Sequence, residues 1–300
     1  MSTPDYLLGL VDDAAIFPPG NAPLDAARAG HREHRAAPYA PLVGGFVVSD
    51  TKLPELTRLV AADCAARGET TGPAALRVNL VVTGGAGAIE GAVRWAGRAE
   101  GIELAALEFA LRDEDDLAHN ARRVLAATDA LAEELDAVDL YVEPPRVHGR
   151  PTAGWLAAAD ELAARDVRLK FRTGGLGADA FPTADELAAC IGAALDRELA
   201  FKCTAGLHHA VRGDATLPDG ESATHHGFLN VLVATRANLD GQDAVAVLEE
   251  TDASVLTGRL DSEVMARTRR WFTGFGSCSV REPLEDLVEL GLLTRDRPPT

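Results

Sequence analysis

The chain has 300 residues, 47% of them hydrophobic, and its formal net charge is −17 at pH 7. This charge argues against nucleic acids as partners, because binding a polyanion takes basic patches that displace counterions from phosphates. The opening residues MSTPDYLLGLVDD lack a basic region followed by an apolar core, and no apolar run reaches the roughly 20 residues of a membrane span. We therefore expect a cytoplasmic protein that binds neither membranes nor nucleic acid.

Short apolar runs alternate along the chain with Ala-, Leu-, Glu- and Arg-rich segments of helical period, at a spacing of roughly 30 residues, which is typical of βαβ units. Strands are predicted, in chain order, at residues 44–49, 76–82, 104–111, 137–144, 168–174 and 198–206. Helices are predicted between them at residues 53–67, 86–100, 115–135, 152–165 and 183–196.

Two more strands would close these six into a barrel. Residues 271–277 (WFTGFGS) predict the last strand, and we place the first in LLGLVDDAAIF near the N-terminus in preference to residues 253–258. An open doubly wound sheet is the competing fold, but no GxGxxG motif follows an early strand to mark a dinucleotide site. We predict an α/β fold, a single (β/α)8 TIM-type barrel domain over residues 1–300, with a loop and helical excursion at about 207–270.

The use of lysine is the first indication of chemistry. Of the 29 Lys and Arg residues only Lys52, Lys170 and Lys202 are lysines, and the last two lie within neighbouring apolar strands. Unlike a guanidinium, an amine can lose its proton and act as a nucleophile or base. Burial and a nearby like charge both lower a lysine pKa, so two lysines at equal height on adjacent strands predict an amine nucleophile for imine chemistry.

Three short motifs resemble those of one family. Residues 170–174 (KFRTG) resemble the K-x-[ST]-T-G strand of deoxyribose-phosphate aldolase, with Arg172 in place of a small hydroxyl residue. Residues 202–206 (KCTAG) and 275–279 (FGSCS) are similar to its next strand and to its phosphate-binding turn. This resemblance to the Schiff-base (class I) aldolases implies Lys170 as imine former and Lys202 as its electrostatic partner. As a whole, the chain also resembles bacterial β/α-barrel proteins that open with a DDAAIFPPG-like segment, which assigns no activity.

The predicted function is a lyase of aldolase type, in which Lys170 forms an imine with a small carbonyl compound that is anionic or phosphorylated. Lys202 would keep the Lys170 amine unprotonated, and Glu143 or His208 would shuttle protons. The residues predicted to bind substrate are Arg172, Thr173, Gly174, Gly276, Ser277, Ser279 and Asp13. No cofactor is needed for this mechanism, and the 207–270 excursion would serve as a lid or mediate homo-oligomerisation.

The main alternative rests on two histidine pairs, His208-His209 and His225-His226. Histidine is a common transition-metal ligand, so a divalent metal held by His208, His226 and Glu143 would make the protein a metal-dependent lyase or hydrolase. There is no HExxH or HxH motif, and the histidines would equally serve to order a loop and cap the following helix. A noncatalytic binding protein is a third reading. The sequence leaves open the substrate and whether Asp12, Asp13 and Glu108 reach the site.

Overall fold

The computed structural model describes residues 3–67, 75–112, 115–217 and 220–294. Eight parallel strands close into a barrel. In order around it they are β1 (Val11–Asp13), β2 (Val43–Ser49), β3 (Leu76–Val82), β4 (Ile102–Ala110), β5 (Asp139–Glu143), β6 (Arg168–Arg172), β7 (Phe201–Thr204) and β10 (Phe272–Ser277). Strand β10 pairs back to β1, so the predicted (β/α)8 TIM-type barrel is confirmed.

The helices surround this barrel. They are α1 (Leu24–Ala36), α2 (Leu53–Arg67), α3 (Ile89–Arg98), α4 (Leu117–Asp129), α5 (Ala153–Ala163), α6 (Ala184–Leu195), α7 (Phe228–Leu239), α8 (Ala244–Glu249), α9 (Ala253–Thr257), α10 (Ser262–Thr268) and α11 (Arg281–Glu289). Helix α6 starts with a capping box, in which Thr183 and Glu186 each accept a hydrogen bond from the other's backbone N–H. Within the described ranges, no helix is long and apolar enough to cross a membrane.

The two strands that close the barrel, β1 and β10, lie in the segments that the sequence predicts for them. Strand β1 falls inside LLGLVDDAAIF, and the competing segment at 253–258 forms helix α9 instead. The Asp252 side chain accepts a hydrogen bond from the Ser254 N–H and so caps that helix.

The 207–270 excursion has two parts, separated by one of the barrel's own helices. Residues after β7 first form an antiparallel hairpin of β8 (Gly213–Thr216) and β9 (Ser222–His225). Helix α7 then packs on the barrel, where the Phe228 ring stacks on Phe275 at a centroid distance of 5.1 Å. The short helices α8, α9 and α10 follow and lead into β10.

The hydrophobic core lies between the barrel and its helices. Neighbouring strands turn Phe171, Phe201 and Phe272 outward in one row, with ring centroids 5.0 and 5.5 Å apart. The interior of a TIM barrel is normally filled by branched aliphatic side chains. Here much of the interior is charged, because β6 and β7 turn Lys170 and Lys202 inward as register partners.

Candidate active site

A buried network of salt bridges fills the middle of the barrel. Lys170 Nζ lies 2.9 Å from Glu108 Oε2 and 3.0 Å from Glu143 Oε2. Lys202 Nζ lies 2.7 Å from Glu108 Oε1 and donates a second hydrogen bond to Asp12. A single carboxylate, that of Glu108, therefore bridges the two ammonium groups.

The alternation of β-strands explains which side chains enter this network. Residues two apart on a strand share a face, so Arg172 follows Lys170 into the barrel. Its Nε lies 2.9 Å from Glu143 Oε1. Three carboxylates from β1, β4 and β5 thus meet three cations from β6 and β7, and the network has no net charge.

Burial opposes the charged forms of Lys170, Lys202 and Glu108, but the charged partners of these residues outweigh it. Burial alone would lower the pKa of Lys170, yet Glu108 and Glu143 raise it above the ordinary lysine value. The pKa of Lys202 is likewise raised by Asp12 and Glu108. Despite its burial, Glu108 has a pKa lowered to about 2 by the two lysines. The expectation that the lysines depress each other's pKa was wrong, because a carboxylate stands between them.

The network opens into a cavity of about 420 Å³ at the carboxyl ends of the strands, where the chemistry of such barrels takes place. Its lining brings together the four predicted catalytic residues, namely Lys170, Lys202, Glu143 and His208. Arg172 and Gly276, two of the predicted substrate-binding residues, also line it. Arg112 adds a second guanidinium that the sequence analysis did not single out.

Other predicted substrate-binding residues are engaged elsewhere. The Thr173 hydroxyl is buried and donates to the Ala205 carbonyl, and Gly174 packs on the backbone of Gly206. The Ser277 hydroxyl donates to the Ser279 carbonyl oxygen at 2.8 Å. The structure thus places these residues at and just after the ends of the strands that support the cavity.

Of the three acidic residues left open by the sequence, Asp12 and Glu108 reach the network and Asp13 does not. Asp13 does not line the cavity, because it faces α1, where its Oδ2 lies 3.0 Å from His31 Nδ1. Its neighbour Asp12 points inward to Lys202, and Glu108 lies at the centre. Tyr141 also belongs to the interior, since its ring centroid lies 5.1 Å from Lys202 Nζ. The sequence signal for Tyr141 is its position two residues before Glu143, because residues two apart on a strand share a face.

Three of the four paired histidines, His208, His209 and His225, line one pocket, with the His209 and His225 ring centroids 5.2 Å apart, but His226 lies apart from them. His208 Nδ1 lies 2.7 Å from Glu282 Oε2, while the fully buried His226 bonds through Nε2 to the Pro182 carbonyl at 2.9 Å. The predicted set of His208, His226 and Glu143 is therefore not assembled. Among the described residues, no group of three or more His, Cys, Asp or Glu side chains is placed to hold a metal ion.

His208 has a further neighbour in Cys278. The Cys278 Sγ lies 3.7 Å from Nε2 and 4.0 Å from Nδ1, and these nearly equal distances place the sulfur beside the imidazole ring. Both distances are at the long end of a hydrogen bond to sulfur, so the thiol and the imidazole are in polar contact. Although burial disfavours the charged ring, Cys278 and Glu282 raise the pKa of His208 to about 9.

Comparison with known proteins supports the architecture. No protein-family model matches the chain, and no curated protein matches its sequence. Among solved structures, the chain is similar to the tetrameric deoxyribose phosphate aldolase from Aeropyrum pernix, with a TM-score of 0.54 and 11% sequence identity over 97% of this chain and 94% of that chain. At this identity the likeness shows the fold, and the resemblance found in the three motifs is confirmed at that level.

Proposed function

We propose that the protein is an aldolase-type lyase in which Lys170 forms an imine with a small anionic carbonyl compound. The observation that carries this proposal is the setting of Lys170. Its ammonium is buried in the barrel between two carboxylates, and it faces the cavity of about 420 Å³ at the carboxyl ends of the strands.

The resting ammonium must lose a proton before it can attack a carbonyl carbon. We assign the proton transfer to Glu108, which already accepts a hydrogen bond from Lys170. The free amine then adds to the carbonyl, and the hydroxyl of the resulting carbinolamine takes the proton back and leaves as water, which gives the protonated imine. The cationic imine draws electrons from the adjacent C–C bond and so favours its cleavage.

The anion preference follows from the guanidinium groups. Arg172 is half-exposed and donates one hydrogen bond to Glu143, which leaves other N–H groups for a carboxylate or phosphate. A substrate anion that binds Arg172 would weaken the hydrogen bond from Arg172 to Glu143. The Glu143 carboxylate would then become a stronger base, suited to move protons on the bound substrate.

Lys202 serves a different role in this scheme. Its ammonium is held by Asp12 and Glu108, and only 3% of its side chain is exposed, against 6% for Lys170. We assign it as the positive charge that tunes Glu108. Lys170, which lies beside Arg172, is the nucleophile.

Borohydride trapping tests the proposal. The protein is incubated with small aldehydes and ketones, with and without a phosphate or carboxylate group, reduced with borohydride, and digested for mass spectrometry. We expect a reduced adduct on Lys170 that is absent from Lys170→Arg, kept in Lys52→Arg, and unaffected by prior dialysis against a chelator. Turnover of a carbonyl substrate that persists in Lys170→Arg would overturn the assignment.

A further inference from the structure

Lys202 lies between two chambers of the barrel. Above it is the cavity that contains Lys170. Below it, at the amino ends of the strands, is a second chamber of about 360 Å³. Its lining includes Asp12, Asn79, Tyr141, Thr273 and Lys202 itself, so it is largely polar.

Small residues keep this lower chamber open. Strand β2 contributes Gly44 and Gly45, and a Cβ on either would collide with the side chain of Asp12 or Asn79, respectively. Strands β4 and β10 add Ala106 and Gly274. Branched aliphatic side chains usually fill the corresponding layer of such a barrel. The sequence therefore leaves space where this fold normally packs its core.

Asn79 indicates what occupies that space. It is 5% exposed, and its side chain lines the chamber. An amide that faces a polar cavity with room for water is usually hydrogen-bonded to ordered water. The ammonium of Lys202 has three N–H donors, two of which meet Asp12 and Glu108, so a third remains for water.

We propose that the lower chamber is a hydrated compartment through which the Lys202–Asp12 pair exchanges protons with the solvent, from the end of the barrel opposite the substrate cavity. Its catalytic use rests on the proposed function. Glu108 accepts a proton from Lys170, Lys202 passes one to Asp12 and regains one from Glu108, and Asp12 releases one to a chamber water. The sum moves one proton from Lys170 to that water, and the return transfer accompanies loss of water from the carbinolamine.

The small number of lysines allows a direct test without substrate. Protein labelled with ¹⁵N at the lysine Nζ gives at most three side-chain ammonium signals, which Lys→Arg variants assign. The measured quantity is the rate at which the Lys202 ammonium exchanges hydrogen with water. Two variants fill the lower chamber: Ala106→Met, which removes no polar group, and Asn79→Leu. The matched control is Ala110→Met, two positions beyond Glu108 on the same strand, which fills the upper cavity instead.

We expect Ala106→Met and Asn79→Leu to slow Lys202 exchange by about tenfold or more, and Ala110→Met to leave it near the wild-type rate. If Ala110→Met slows the exchange while folded lower-chamber variants do not, Lys202 meets solvent through the upper cavity and the proposal is overturned. Unchanged exchange in all three variants overturns it too. If borohydride traps no adduct but the lower-chamber variants slow Lys202 exchange, the hydrated compartment is supported and the imine function is not.

Discussion

Gly174 packs backbone against backbone on Gly206, where β6 and β7 end. A Cβ on Gly174 would lie 2.7 Å from the Gly206 Cα, and one on Gly206 would lie 2.7 Å from the Thr173 carbonyl oxygen. This contact brings together the ends of the two strands that carry Lys170 and Lys202. It accounts physically for the glycine that follows each lysine at a distance of four residues.

Substituting Gly206 by Ala therefore combines two costs. The residue has a φ of +76°, and the added Cβ would meet the backbone of the neighbouring turn. We expect Gly206→Ala to lower the free energy of unfolding by about 2–4 kcal/mol, measured by urea denaturation. Gly220→Ala is the matched control, because its φ is +88° with nothing within 4 Å, and it should lose only about 1 kcal/mol. Equal losses would show that the glycine contact contributes nothing.

The bridge at Glu108 makes that residue essential to the network. Glu108→Gln would leave two buried ammonium groups facing a neutral amide, which should destabilise the protein by about 3–5 kcal/mol. The control on the same strand is Glu103→Gln, whose exposed ion pair with Arg77 spans 3.4 Å and contributes about 0–1 kcal/mol. Urea denaturation at neutral pH measures both. Similar stability of the two variants would mean that Lys170 and Lys202 are not both charged in the folded protein.

His208 should make stability depend on alkaline pH. Its pKa is raised in the fold to about 9, so its stabilising contribution is complete below the ordinary histidine pKa and is lost as pH rises through about 9. Denaturation at several pH values should show a stability difference between wild type and His208→Gln that shrinks, by up to about 3 kcal/mol, between pH values of about 6 and 9.5. A difference that stays constant over this range would contradict the raised pKa.

His226 should make the folded protein less stable as pH falls below the ordinary histidine pKa. Its Nε2 bonds to the Pro182 carbonyl oxygen, and burial lowers its pKa to about 4. An unfolded chain binds a proton here near the ordinary histidine pKa, so the contribution of the neutral ring is complete above that value and falls away as pH drops toward about 4. We expect His226→Gln to lose less stability than wild type between pH values of about 6.5 and 4.5. Parallel pH profiles for the two proteins would exclude a buried neutral ring.

Much of the fold could be predicted because periodicity and spacing are local properties of the sequence. Strand β1 is too short for such a local pattern. It has three residues, so alternation cannot decide whether Asp12 or Asp13 faces inward. The hairpin was missed because GDAT and SATH carry little of the β-branched and aromatic character of strands.

The positions of the two lysines in the candidate site could be predicted from the sequence, whereas the direction of their pKa shifts could not. The strand pattern placed Lys170 and Lys202 on one face at one height, as found. The sign of their pKa shifts depends on Glu108, which reaches them from across the barrel. Contacts between distant strands of this kind leave no trace in the spacing of residues along the chain.

The burial of two lysines also gives the protein a chemical selectivity. The Lys52 side chain is 54% exposed, whereas those of Lys170 and Lys202 are only 6% and 3% exposed inside the barrel. Among lysine side chains, bulky amine-reactive dyes, cross-linkers and activated resins can therefore react with Lys52 alone, in the turn that precedes α2. A fluorophore or a surface linkage attached there would leave the two interior amines unmodified.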